Sequence, residues 1–147
     1  DVWLCDLLPY SRVNENQKKA IDNYYTQDLI RNYGLTPATI PSFDKNELDS
    51  QTRREDILHD LEDSKADTLI LLGDLPIYWF LRFFDKRYSR LTQFGERPEL
   101  YGQRHDIKIN KKIYKTIPLC HPRQADRLGT SNIQWGNLHD QWIRAEA

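Results

Sequence analysis

The sequence predicts an α/β fold, a three-layer α/β/α sandwich around a mainly parallel four-stranded central sheet. Apolar runs of strand length alternate along the chain with stretches of helical period, the pattern that builds such layers. One run, "DTLILLGD", is apolar almost without a break. That is the mark of a parallel strand covered on both faces, since a half-exposed strand would alternate. The third observation is size: 147 residues, 39% of them hydrophobic, suit one domain that buries about two thirds of its unfolded surface.

The elements follow in order. "VWLCDLLPY" (2–10) reads as a buried strand that stops at Pro9. "NENQKKAIDNYYTQDLIRNY" (14–33) opens with Asn14 and has Gln17 three residues on, a capping box. Its apolar residues recur at helical spacing and Gly34 ends it, so one helix is expected. "GLTPATIPSFDKN" is a loop, and "SQTRREDILHDLEDSKA" (50–66) is a helix with the apolar stripe Ile57, Leu58 and Leu61. After the strand at 67–74, Pro76 is a suitable first helical residue for "PIYWFLRFFDKRY" (76–88). That helix is apolar nearly all round, so it belongs in the core. Residues 89–106 form a long polar loop, of a length that is usually functional or mobile. "IKINKKIYKTIPL" reads as strand, turn at Asn110-Lys111, strand; "ADRLG" as one helical turn; "NLHDQWIRAEA" as a closing helix.

Composition excludes several classes. Four Trp, eight Tyr and five Phe argue against disorder. No apolar run approaches the roughly 18 residues of a membrane span, so a cytoplasmic monomer is expected. Cys5 and Cys120 lie in strand-like runs and read as buried, reduced thiols. Two cysteines are too few for an iron–sulfur cluster, and no Cys/His spacing suits zinc. No metal and no cofactor is therefore expected. There is no G-x-S-x-G elbow, and "LLGDLP" lacks the glycines of a phosphate-binding loop. The chain starts at Asp1, contains no Met and enters its first strand without a turn, which predicts missing upstream residues.

Charge is unevenly spread. Arg82–Arg127 holds 12 Lys/Arg against 5 Asp/Glu, a balance of +7, whereas the remainder holds 9 against 17, a balance of −8. That asymmetry suits a face for a polyanion, or a chance cluster on a solvated surface.

In parallel sheets the active crevice lies beyond the carboxyl ends of the strands. That rule gathers Asp6, Asp74 and His121. Asp6 reads either as a site residue or as a buried carboxylate bound to backbone N–H groups. Asp74, just before Leu75-Pro76, reads best as a helix-terminal cap. His121 ends its strand, precedes Pro122 and is followed by Arg123, Gln124 and Arg127, a context that favours a site role. His59, His105 and His139 carry no assigned role.

"IPLCHPRQADRLG" followed by "WGNLHDQW" resembles the second motif of the uracil-DNA glycosylase superfamily, a strand entering an HPS- or HPA-type loop before a Trp-containing last helix. "ADTLILLGDLPIYWFL" is similar to that superfamily's central strand, and "DVWLCDLLPYSRVNENQ" to the strand and loop that carry its base-reading Asn. The resemblance implies a single uracil-DNA glycosylase-like domain over 1–147 that acts on DNA with a flipped-out base. It makes His121 the hydrogen-bond donor to the departing base and Asp6 the base-reading residue. Pro122 would fix the loop, while Arg123, Gln124 and Arg127 contact DNA. Asp6 stands where Asn would read uracil, and an ionised carboxylate only accepts, which suits an amino-bearing base. The superfamily's first motif would lie before Asp1. The alternatives are a non-catalytic nucleic-acid-binding module and an enzyme acting on free nucleosides or nucleotides.

Overall fold

The computed structural model describes residues 2–8, 12–36, 40–125 and 133–146. Six helices and three strands run in the order α1 (Glu15–Tyr24), α2 (Gln27–Tyr33), α3 (Lys45–Leu48), α4 (Gln51–Ser64), β1 (Thr68–Leu72), α5 (Asp74–Trp79), β2 (His105–Ile109), β3 (Lys112–Leu119) and α6 (Ile133–Glu146). Single 3-10 turns follow α5 at Leu81–Phe83 and precede β2 at Leu91–Phe94.

The sheet corrects the expected architecture. It has three strands in the order β1-β3-β2 and is mixed: β1 pairs β3 in parallel, and β2 pairs β3 antiparallel. Among the described residues the expected four-stranded, mainly parallel sheet does not form. Residues 2–6, the described core of the expected first strand, join no strand, and Trp3 is 59% exposed. This segment is held beside α4 instead. The Arg53 Nη2 donates to the Asp6 carbonyl at 2.5 Å and its Nε to the Leu7 carbonyl at 2.8 Å, while the Cys5 thiol reaches Asp60 Oδ2 at 3.2 Å. Cys5 is thus exposed rather than buried, unlike Cys120. Its sulfur is turned toward α4, where desolvation and then the Asp60 carboxylate push the thiol up to about 11. Pro9, the expected end of that strand, lies outside the described residues.

Without a fourth strand, β1 is an edge and is not covered on both faces. Leu71 is buried and Leu69 half-buried, but Ile70 on the opposite face is 53% exposed. Tyr114, Thr116 and Pro118 of β3 with Ile107 and Ile109 of β2 share the face of Leu69 and Leu71, and all are buried. Ile57 and Leu61 of α4, Ile77, Phe80 and Leu81 after β1, and Leu91 and Phe94 complete this core. Ile117 and Leu119 on the other face are also buried, so that face is covered at the end of β3 and open over β1.

Local signals account for most helix ends. The Asn14 side chain accepts from Gln17 N–H and the Gln17 side chain accepts from Asn14 N–H, each at 2.9 Å. The expected single helix over 14–33 is interrupted, because the Thr26 hydroxyl accepts from Leu29 N–H and caps a second helix. Gly34 ends it in the left-handed region. Ser50 caps α4 through Arg53 N–H, and Asp44 caps the unexpected short α3. The helix expected from Pro76 starts two residues earlier, at Asp74, and breaks at Phe80. It is apolar, yet only part of it is in the core: Leu75 and Tyr78 are exposed. The expected 89–106 loop is anchored rather than free, with Leu91, Phe94 and Tyr101 buried. Asn110 takes the left-handed conformation that the tight β2–β3 turn requires. The expected turn in "ADRLG" falls mostly outside the described residues. Among the described residues no helix is long and apolar enough to cross a membrane.

At the start of β2, His105 packs edge-on against Phe94, ring centroids 4.9 Å apart. Burial, and then the charge of Arg87, lower its imidazole below the usual value. Its folded value is thus below the unfolded value near 6.5, so the unfolded chain binds the proton more readily as pH falls from about 6.5. His105 therefore takes nothing from stability above that pH and destabilises the fold below it. His105→Phe, which keeps a ring against Phe94, should flatten the fall of Tm between neutral and mildly acidic pH. An unchanged fall would clear His105 of that role.

Candidate functional site

The site begins where two parallel strands end together. Leu72 lies opposite Leu119, and one residue further the Gly73 N–H donates to the Leu119 carbonyl at 2.8 Å. Gly73 has φ of 85°, open to glycine and strained for other residues. A Cβ here would stand 3.0 Å from His121 Cβ and 3.1 Å from Gln124 Oε1. The turn after β1 is therefore pressed directly against the turn after β3.

The His121 turn is tied by its own residues. The His121 carbonyl accepts from Gln124 N–H at 2.7 Å and from Ala125 N–H at 3.1 Å. In return, Gln124 Oε1 accepts from the His121 N–H at 3.0 Å. The Arg123 N–H donates to His121 Nδ1 at 3.1 Å. With Nδ1 used as an acceptor, the neutral ring carries its proton on Nε2. His121 is exposed, so this fixed tautomer offers an N–H donor at the strand edge.

Behind the turn lies a buried network that the sequence did not reveal. The Tyr101 hydroxyl accepts from Cys120 N–H at 2.9 Å and lies 3.1 Å from Cys120 Sγ and 3.0 Å from His139 Nδ1. Strand β2 begins only at His105, opposite Thr116, and Tyr101, four residues before it, supplies β3 with the acceptor that a longer strand would have given. Burial, and then the Cys120 thiol, hold the Tyr101 phenol above its usual value, so it stays neutral. Tyr101 comes from the long loop and His139 from the last helix; the only sequence hint is the Tyr101-Gly102 pair. Gly102 lets the chain pass the Trp142 ring, which a Cβ would meet at 2.4 Å.

The other expected site residues separate into groups. Pro122 is half-buried and Arg123 exposed within the turn, while Gln124 uses its carbonyl oxygen to hold His121. Arg127 lies outside the described residues. Asp74 is brought to the same edge by Gly73, but its Oδ1 accepts from Leu91 N–H at 2.7 Å and ties α5 to the 3-10 turn. Asp6 is exposed on the segment beside α4, and among the described residues no contact joins it to His121. Two concavities are found elsewhere. One of about 290 Å³ lies between α4 and the β2–β3 turn, and one of about 700 Å³ beside residues 92–97; neither is lined by His121. Among the described residues no group of three His, Cys, Asp or Glu is placed to hold a metal ion.

Comparison with known proteins finds no family model, no curated protein and no solved structure that matches the chain.

Two substitutions test the arrangement. Gly73→Ala should cost about 1–3 kcal/mol through its backbone strain and shift the His121 ring resonances in NMR spectra. Resonances that stay in place would show that the turn does not press on His121. Tyr101→Phe removes the hydroxyl that accepts from Cys120 N–H, and urea unfolding should register a loss of about 0.5–1.5 kcal/mol, the net worth of a typical hydrogen bond. An unchanged midpoint would mean that this hydroxyl adds nothing to stability.

Proposed function

We propose that this chain is a DNA glycosylase-like hydrolase that releases a flipped-out uracil or another modified base from DNA. The observation that carries this reading is the Arg123 N–H to His121 Nδ1 hydrogen bond, which leaves an N–H donor on the exposed side of the ring. In N-glycosidic cleavage the C1′–N bond breaks, its electron pair leaves with the base, water oxygen adds to C1′, and the proton that water gives up ends on the released base. Negative charge then gathers on the base carbonyl oxygen. A donor held there before the reaction costs no reorganisation as that charge develops.

The surrounding residues suit such a substrate. Arg123 is exposed in the same turn, within the +7 stretch, and exposed cations release counterions on meeting phosphate. In this reading Pro122 stiffens the turn and Arg123 and Arg127 contact DNA, while Asp6, held beside α4, is not given the base-reading part. Gln124 has a different part: it positions His121 through the backbone. A second reading is a nucleic-acid-binding module without catalysis, which the exposed Arg123 and the +7 stretch suit equally.

One assay separates the two. The protein is incubated with duplexes carrying uracil, hypoxanthine or xanthine, and alkali then reveals abasic sites. Wild type should release at least one of these bases, and His121→Ala should slow release by about 100- to 1,000-fold, the usual effect of deleting such a donor. Binding without any base release would sink the hydrolase and leave the binding module.

A further inference from the structure

The exposed side of α5 and the turn that follows it carries aromatic rings covered by guanidinium groups. Arg82 lies over the Tyr78 ring at 3.7 Å from its centroid, and Arg54 of α4 lies over the Phe83 ring at 3.8 Å. Arg82 also stands 5.7 Å from the Phe83 centroid, so the two pairs are continuous. The rings are not core: Tyr78 is 39% exposed and Phe83 40%. A lone arginine over a tyrosine four residues away is ordinary surface packing on a helix. Three features separate this group from that case.

The first is continuity, since two cation–ring pairs from different helices share one surface. The second is charge. Arg54 is tied to Asp49, Nη1 to Oδ1 3.5 Å, but among the described residues no carboxylate pairs with Arg82. Within the described residues its guanidinium is met by ring faces. The third is place. Helix α5 starts immediately after Gly73, which abuts His121, and Tyr78 follows four residues on, about 6 Å of helix rise.

We propose that Tyr78, Arg82, Phe83 and Arg54 form a stacking platform for an unpaired nucleic-acid strand. Unpaired bases stack on aromatic side chains and on guanidinium planes, and an unneutralised arginine among them attracts the phosphates between those bases. A guanidinium already held over a ring loses little freedom when a base or phosphate joins it. The platform goes beyond the reading of His121. It stands on its own contacts and holds whether or not any base is cleaved.

The test compares a short fluorescein-labelled oligothymidylate, its uridine counterpart and an abasic strand with the same phosphates, by fluorescence anisotropy on the full chain. Wild type should prefer one or both base-bearing strands over the abasic strand by about 5- to 150-fold for one stacked base. Tyr78→Phe should keep that preference and Tyr78→Leu should abolish it, although leucine keeps the apolar cover. Arg82→Gln should weaken every strand and lower the salt slope by about 0.7. Equal binding of base-bearing and abasic strands, or a Tyr78→Leu variant that keeps the preference, overturns the platform. So does a chain that binds no strand but loses self-association on Tyr78→Leu, since the patch would then face protein. Failure of base release with the stacking preference intact would count against the hydrolase alone.

Discussion

The parallel pairing of β1 with β3 is the constraint from which the rest of this structure follows. Its register, from Thr68 opposite Lys115 to Leu72 opposite Leu119, brings both strands to an end at the same level. The ladder then continues one step into the turns through Gly73 N–H and the Leu119 carbonyl. Two turns pinned this closely cannot both carry a side chain at the contact, and Gly73 yields the space to His121 and Gln124. The same bond fixes where α5 starts, so Asp74 can reach Leu91 N–H and draw the long connection down onto the core. Moving β1 by one residue would turn Leu69 and Leu71 away from that core. It would also uncouple the two turns.

The sheet is then a one-sided object along β1. Its buried face takes Leu69 and Leu71 with the β2 and β3 residues beside them, and α4 and the residues after β1 close it. The opposite face leaves Ile70 and Leu72 in water while burying Ile117 and Leu119 one strand away. Because side chains alternate strictly, an unbroken apolar run cannot by itself say whether both faces are covered. "TLILL" has the composition of an interior strand and the position of an edge.

That distinction explains what the sequence disclosed and what it withheld. Caps and turns are short-range: Asn14 with Gln17, Gly34, Ser50 and Asn110 each act within four residues, and each is readable from the chain. So was the hairpin of β2 and β3. Sheet membership is long-range, and "VWLCDLL" is apolar enough to be a strand whether or not it pairs. Its place is set instead by Arg53, 46 residues from Leu7 in sequence. Helix breaks were hidden for a related reason. Thr26 is tolerable inside a helix and favourable as a cap, and only the packing of the flanking turns decides between them. At the candidate site His121 was legible because a histidine before proline at a strand end is unusual. Tyr101 and His139 were not, for Tyr101 meets His121's neighbour Cys120 from 19 residues away and His139 meets the Tyr101 hydroxyl from 38.

The buried and exposed parts of the site do different work. Tyr101 holds the backbone of Cys120, Gln124 holds the N–H of His121, and Arg123 holds one ring nitrogen. Three hydrogen bonds from three directions thus act on two consecutive residues, which restricts how far the imidazole can turn. A surface histidine without such ties would exchange tautomers and rotamers freely, and a donor that wanders is a poor partner for charge developing at one atom. On the far side of Gly73 the surface changes character, from a single directed donor to aromatic rings with guanidinium groups over them. The glycine between them is what allows the two to stand side by side.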